Sequence, residues 1–273
     1  MRVFSSHKDL LNSIDSTKLT GLVPTMGSLH EGHFSIVKRA LSENEQVIIS
    51  IYVNPTQFNN KNDLNKYPRN VEADVDKLRH YNNLFIYAPS DKDLYNEVIS
   101  KKYDLDDLDK VLEGKFRPGH FSGVATIVHK LFDIFKPVNA YFGEKDFQQL
   151  CVIKTMVKKL EINVNIISCK TIRESDGLAM SSRNNLMDEE ERISAGEINK
   201  FMIKAKKLYR DNKIDKIQSS IIDELNKLKN FKLEYFEIDN LSKYSSELKD
   251  EGDRIFIACW IGKTRIIDNI PLK

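Results

Sequence analysis

Val47-Ile48-Ile49-Ser50-Ile51-Tyr52-Val53 is an almost unbroken apolar, β-branched run. With no regular polar alternation, a strand made of it must be buried on both faces, as inside a parallel sheet covered by helices. Outward from it, Gly21-Leu22-Val23, Leu84 to Pro89, Asn139 to Phe142 and Val164 to Cys169 read as further strands, and helical patterns separate most of them. That alternation implies right-handed βαβ crossovers. Val124, Ile127, Val128, Leu131, Phe132 and Phe135 fall on one helical face, which predicts a helix packed on the sheet.

The character changes after Asn185. Asp188 with Glu191 three residues later predicts a capping box that opens a Lys-rich helix to about Asn212, and a second amphipathic helix is expected from about Ile214 to Lys229. Lys232 to Ile238 and Arg254 to Ile267 read as strands, the latter broken by a hairpin turn at Gly262-Lys263-Thr264. The expected organisation is an α/β parallel-sheet domain over 1–184 followed by a smaller α+β domain over 185–273.

The chain has 273 residues, of which 41% are hydrophobic and 30% charged, with only 7 Pro and 11 Gly, so it is neither collagen-like nor broadly disordered. Its apolar runs hold about seven residues, far below the roughly 20 needed to span a bilayer. The 42 basic and 40 acidic side chains nearly cancel, which gives no long-range field for nucleic acid, and an anionic ligand must be held by a few local cations. Cys151, Cys169 and Cys259 are odd in number and lack a C-x-x-C pair, so they read as reduced core thiols. The segment Met1-Arg2-Val3-Phe4-Ser5-Ser6-His7-Lys8-Asp9 lacks the apolar core of a secretory signal, and a cytoplasmic location is expected.

Five loops carry residue types suited to chemistry. Pro24-Thr25-Met26-Gly27-Ser28-Leu29-His30-Glu31-Gly32-His33 runs from a strand into a helix and puts two imidazoles on one side of the first turn. Helix N-termini attract phosphate through unpaired N–H groups and the macrodipole, and Gly32 lets a flat ring approach the backbone, so a nucleotide fits there. The H-E-G-H spacing lacks the i, i+4 pair of a zinc protease. Asn54 and Gln57, in Val53-Asn54-Pro55-Thr56-Gln57-Phe58, follow the long strand where open α/β sheets bind ligands, and their amides suit a small hydroxy acid. Gly143-Glu144-Lys145-Asp146-Phe147-Gln148-Gln149 places Lys145 as a point charge for phosphates, with Gln149 on the cleft side. Ser181-Ser182-Arg183, in the segment Arg173 to Asn184, offers hydroxyls and a guanidinium for triphosphate oxygens. Arg117 and His120 stand near a helix start. Taken singly, the Asn54–Gln57 loop reads equally as a Pro-fixed turn, and the Lys145, Ser181–Arg183 and Arg117–His120 segments read first as a surface charge cluster, a linker and a turn.

The His30-to-His33 segment resembles the H-x-G-H signature of the nucleotidyltransferase superfamily. Taken in order, Pro24 to Gly27 with His30 to His33, Val53 to Pro55 with Gln57-Phe58, Tyr67-Pro68-Arg69, Arg117 to Phe121, Gly143 to Gln149, and Asp176 to Ala179 with Ser181 to Asn184 resemble the pantothenate synthetase (pantoate:β-alanine ligase) family. The resemblance is dense from Gly21 to Asn184, fades through the Lys-rich helices and returns at Ala258, Trp260, Gly262, Arg265 and Asp268. It implies a Rossmann-like domain and a homodimer. It also implies ATP-dependent joining of pantoate to β-alanine through a pantoyl adenylate, releasing pyrophosphate and then AMP, with Mg²⁺ on the triphosphate. Two other readings stay open on the residues alone: another enzyme of the same superfamily, or an ATP-binding regulatory protein without turnover.

The resemblance also implies residue roles. His30 and His33 would stabilise charge during adenylyl transfer, with Lys145 and Arg183 also catalytic. Met26, Gly27, Ser28, Leu29, His30, Glu31, Gly32, His33, Gly143, Glu144, Lys145, Asp146, Ile172, Met180, Ser181, Ser182 and Arg183 would bind ATP. Gln57 and Gln149 would hold pantoate, with Asn54, Arg117 and His120 also at the substrate end, and Asp74 would contact magnesium or an amine. The motifs assign no metal ligand otherwise. Ser28, where Ala or Asn is common, and Leu186, where an aromatic is frequent, depart from the family pattern.

Overall fold

A computed structural model describes residues 2–95, 101–209 and 213–273. Along the chain, β1 (Arg2–Phe4) and α1 (His7–Leu11) precede β2 (Thr20–Thr25), α2 (Glu31–Glu43) and β3 (Gln46–Ile51). Then follow α3 (Lys61–Lys66), α4 (Val71–Leu78), β4 (Leu84–Tyr87), α5 (Asp91–Leu94), α6 (Leu112–Phe116) and α7 (His120–Phe135). β5 (Asn139–Gly143), α8 (Phe147–Lys159) and β6 (Asn165–Cys169) complete a six-stranded sheet of order β1-β4-β3-β2-β5-β6, in which every pairing is parallel. β3 is buried at all six positions, as its apolar run requires. Val37 and Ala40 of α2 pack with Val23, Val47, Ile49 and Ile86. The chain steps from β2 outward to β3 and β4, then returns to the other side of β2 through β5. The β2 and β5 carboxyl ends therefore form the topological switch point where open α/β sheets bind ligands.

The described residues divide into two compact units: the sheet unit, up to Glu144 with Gln148–Cys169, and a second unit of Lys145–Phe147 with Lys170–Lys273. The second unit holds α9 (Glu189–Leu208), α10 (Ile214–Leu225) and an antiparallel sheet of β7 (Phe231–Asp239), β8 (Arg254–Ile261) and β9 (Thr264–Pro271). Alternate residues Ile255, Ile257, Cys259 and Ile261 of β8 share a core with Ala195, Ile198 and Met202 of α9 and with Ile217, Ile221 and Leu225 of α10. Asp188 and Glu191 form the expected capping box, each side chain accepting from the other's backbone N–H. The break between the units falls earlier than 184/185. Leu178 belongs to the core of the second unit and Arg173 pairs with Asp268 there, which binds the Arg173–Asn184 loop to that unit.

α7 begins at His120, near the helix start expected there, and its first turn is packed against the turn after β3. Some boundaries differ from the expected ones. β9 runs on to Pro271, and α10 stops at Leu225. β1 is too short to carry a periodic signal. Met1 and the expected helix end at Asn212 lie outside the described residues. Cys151, Cys169 and Cys259 are buried and form no disulfide with one another. Among the described residues no helix is long and apolar enough to cross a membrane.

Candidate active site

At the carboxyl end of β2 the chain needs a sharp turn, and Gly27 supplies it with φ +80. A side chain there would also place its Cβ 2.9 Å from Asp74 Oδ2. Asp74, in the first turn of α4 and 2% exposed, accepts the N–H groups of Ser28 and Leu29, each at 2.7 Å, one on each carboxylate oxygen. Lys77 donates to the Leu29 carbonyl at 2.9 Å, while the Leu29 side chain enters the core. Asp74, expected to contact magnesium or an amine, anchors the loop in this structure, with one backbone N–H on each carboxylate oxygen.

The histidines begin α2 in an unusual way. His30 is the N-cap, and its Nδ1 accepts from Gly32 N at 3.2 Å, while His33 Nδ1 accepts from His30 N at 3.3 Å. This is a capping box built from two imidazoles, with ring centroids 4.1 Å apart. A ring nitrogen that accepts from backbone N–H carries no proton, so each neutral ring bears its hydrogen on Nε2. Of the helix-start N–H groups expected to meet a phosphate, those of His30 and Gly32 are taken by the two imidazoles, at the positive end of the macrodipole. Glu31, next to them, is exposed.

After β3, Pro55–Gln57 form a single 3₁₀ turn capped by Asn54. Asn54 is 1% exposed and committed on both sides: Oδ1 accepts from Thr56 N and Oγ1 and from the Tyr95 hydroxyl, and Nδ2 donates to Gly123 O at 3.0 Å. Burial pushes the Tyr95 phenol up to about 12, so it stays protonated as a donor. Gly123 makes the approach of α7 possible, since a Cβ there would stand 2.4 Å from the Thr56 carbonyl oxygen. Gln57 is 7% exposed, with Oε1 accepting from Asn54 at 3.3 Å and Nε2 directed at Met26 Sδ at 3.0 Å. The thioether contact thus links the β2 loop to the β3 loop.

Arg117 and His120 are drawn to the same turn from beneath. His120 Nδ1 lies 2.8 Å from the Gln57 carbonyl oxygen. A carbonyl only accepts, so Nδ1 bears the proton and Nε2 accepts from Arg117 Nη1 at 3.1 Å. Glu113, 3.6 Å from Arg117, balances the guanidinium. These two residues, expected at the substrate end, hold the backbone of Gln57. In the Gln148-Gln149 pair, Gln148 is buried and bonds the backbone of Leu108, Val111 and Glu113, while Gln149 is half-buried on α8. Gly143 ends β5, and Glu144, which follows it, accepts from Ser168 Oγ at 3.2 Å.

The second unit carries the remaining residues. Lys145 stands 3.7 Å from Asp146. Ile172 accepts the Met180 N–H at 3.0 Å, and an isolated bridge joins Arg173 to Ala179. Ser181 caps the turn Ser182–Leu186, its Oγ accepting from Arg183 N at 3.3 Å. Neither Gly123 nor Tyr95 is singled out by the sequence motifs, and Gln148 appears there without a role; Gly123 inside an otherwise apolar helix is the one available signal.

A family model described as pantoate-beta-alanine ligase matches residues 2–271. A pantothenate synthetase of Flavobacterium psychrophilum is 45% identical over 265 residues, covering 95% of this chain and 94% of the relative. The pantothenate synthetase structure from Thermus thermophilus superposes with a TM-score of 0.92 at 34% identity, covering 100% of this chain and 99% of that one. A pantoate-beta-alanine ligase from Francisella tularensis, solved in complex with beta-gamma ATP and beta-alanine, gives 0.81 at 37% identity over 100% of this chain and 98% of that one. Match and likeness run through both units, and the chain belongs to the pantoate-beta-alanine ligase family, whose members join pantoate to β-alanine.

Proposed function

We propose that the chain works in two half-reactions. The pantoate carboxylate first attacks the α-phosphorus of ATP, forming pantoyl adenylate and expelling pyrophosphate. The β-alanine amine then attacks the acyl carbon and displaces AMP. A carboxylate resists an amine nucleophile, and adenylation supplies the leaving group, so no covalent enzyme intermediate is needed.

His30 and His33 donate through Nε2–H to the oxygens on which charge builds during adenylyl transfer, the kind of fixed donor that stabilises a transition state. Gln57 and Gln149 bind pantoate. Lys145, Ser181, Ser182 and Arg183 bind the triphosphate, with Ile172, Met180 and Asp146 completing the nucleotide contacts. The observation that carries this reading is that the loop after β2, which runs into the imidazole-capped helix start, touches the Gln57 turn after β3 through Met26.

Mg²⁺ is part of the proposal. The ion would be carried mainly by the nucleotide's own phosphates. There it would neutralise triphosphate charge. The homodimer and the cytoplasmic location rest on the family resemblance. Supplying ATP, pantoate, β-alanine and Mg²⁺ should yield pantothenate and AMP in equal amounts. Formation of ADP in place of AMP would refute the adenylate route.

A further inference from the structure

Asp268 and Asn269 are neighbours on β9, yet their side chains serve two different segments. The Asp268 carboxylate has no exposed surface. It accepts from both terminal nitrogens of Arg173, at 2.7 and 3.0 Å, and from the Ala179 N–H at 3.2 Å. Arg173 also donates to the carbonyls of Gly177 at 2.8 Å and Asn269 at 3.0 Å. The loop between Arg173 and Ala179 is thereby closed at its base, immediately before Met180 to Arg183. Asn269 works on the other segment: its Nδ2 donates to the Lys145 carbonyl at 2.8 Å, and its Oδ1 accepts from Arg254. The Arg254 guanidinium in turn lies 3.8 Å from the centre of the Phe147 ring. The Lys145–Phe147 segment is thus gripped at two points.

We propose that Asp268 and Asn269 are positioning residues for the nucleotide, setting the spacing between Lys145 and the Ser181–Arg183 turn. Neither contacts ATP. Each acts through a segment it holds, and the inference rests on the reading that Lys145 and Arg183 bind the triphosphate. A cation on one segment and hydroxyls on another must match oxygens at fixed separations, so small errors in spacing are costly. A buried ion pair is a weak device for stability alone, since apolar residues of similar volume serve as well or better, but it specifies register between segments.

The test is calorimetric titration of ATP, with pantoate absent so that no adenylate forms, into Asn269→Ala, Asn269→Asp, Lys145→Ala and the double variant Asn269→Ala/Lys145→Ala. Asn269→Asp keeps the acceptor for Arg254 but cannot donate to Lys145 O. Both Asn269 variants should weaken ATP by about tenfold, the scale of one lost hydrogen bond, and leave pantoate affinity unchanged. In the Lys145→Ala background the Asn269→Ala change should cost less than about twofold, because residues that act through one another are not additive. Additive losses, an Asn269→Asp variant with normal ATP affinity, or equal losses for pantoate would overturn the inference. If Lys145→Ala alone leaves ATP affinity intact, the assignment of Lys145 to the nucleotide fails first, and the inference with it.

Discussion

His120 Nδ1 donates to the Gln57 backbone carbonyl at 2.8 Å, so a buried imidazole holds the main chain of the residue whose side-chain amide is assigned to pantoate. The identity of the donor atom makes the arrangement testable. His120→Asn places an amide N–H near the Nδ1 position, whereas His120→Gln extends past it. The Asn variant should keep pantoate affinity close to that of the parent. The Gln variant should weaken pantoate by roughly 1 to 3 kcal/mol, like Gln57→Ala, and neither should alter ATP affinity. Calorimetric titration with each ligand checks this, and parallel losses in the Asn and Gln variants would show that His120 meets the substrate directly.

His33 has two functions that substitution can separate. Its Nδ1 caps α2, and its Nε2–H is the proposed donor in adenylyl transfer. His33→Ala should slow adenylation by about a hundredfold or more and lower stability by about 1 kcal/mol, from the lost donor and the lost cap respectively. His33→Gln restores a capping-box acceptor without the imidazole donor. Urea unfolding should show its stability recovered while its rate stays low. Recovery of both would reduce His33 to a structural cap.

Asp74 offers a stability prediction. With both its oxygens occupied by the Ser28 and Leu29 N–H groups, Asp74→Asn turns one acceptor into a donor facing a donor. Leaving a buried N–H unsatisfied costs about 1 to 3 kcal/mol, which chemical denaturation will resolve. Adding Mg²⁺ in the absence of nucleotide should change the stability of the parent and of this variant equally. A Mg²⁺ effect specific to the parent would return Asp74 to the role of metal ligand.

The parts of the fold visible in the sequence were those where period and burial agree. The Val47 run needed no context, because an apolar strand without alternation has one stable environment, and Asp188 with Glu191 announced the start of α9 through local chemistry alone. The nucleotidyltransferase signature at His30 and His33 left the substrate open, and the order of the other loops narrowed it to the ligase family. What stayed hidden was the division of labour among polar side chains. Gln148 and Gln149, or Asp74 and any other acid in a first turn, look equivalent in sequence, and only the partners brought from distant segments decide which is buried and bonded. Arg117 and His120, which the family resemblance puts at the substrate end, meet the Gln57 carbonyl in the structure, a contact no residue type announces.

The adenylate intermediate is the central claim, and isotope exchange tests it most directly. Incubated with ATP, Mg²⁺, labelled pyrophosphate and pantoate, the enzyme should return label to ATP in the absence of β-alanine, because the first half-reaction is complete and reversible without the amine. Omitting pantoate should abolish exchange. Exchange that appears only when β-alanine is supplied would contradict the two-step mechanism.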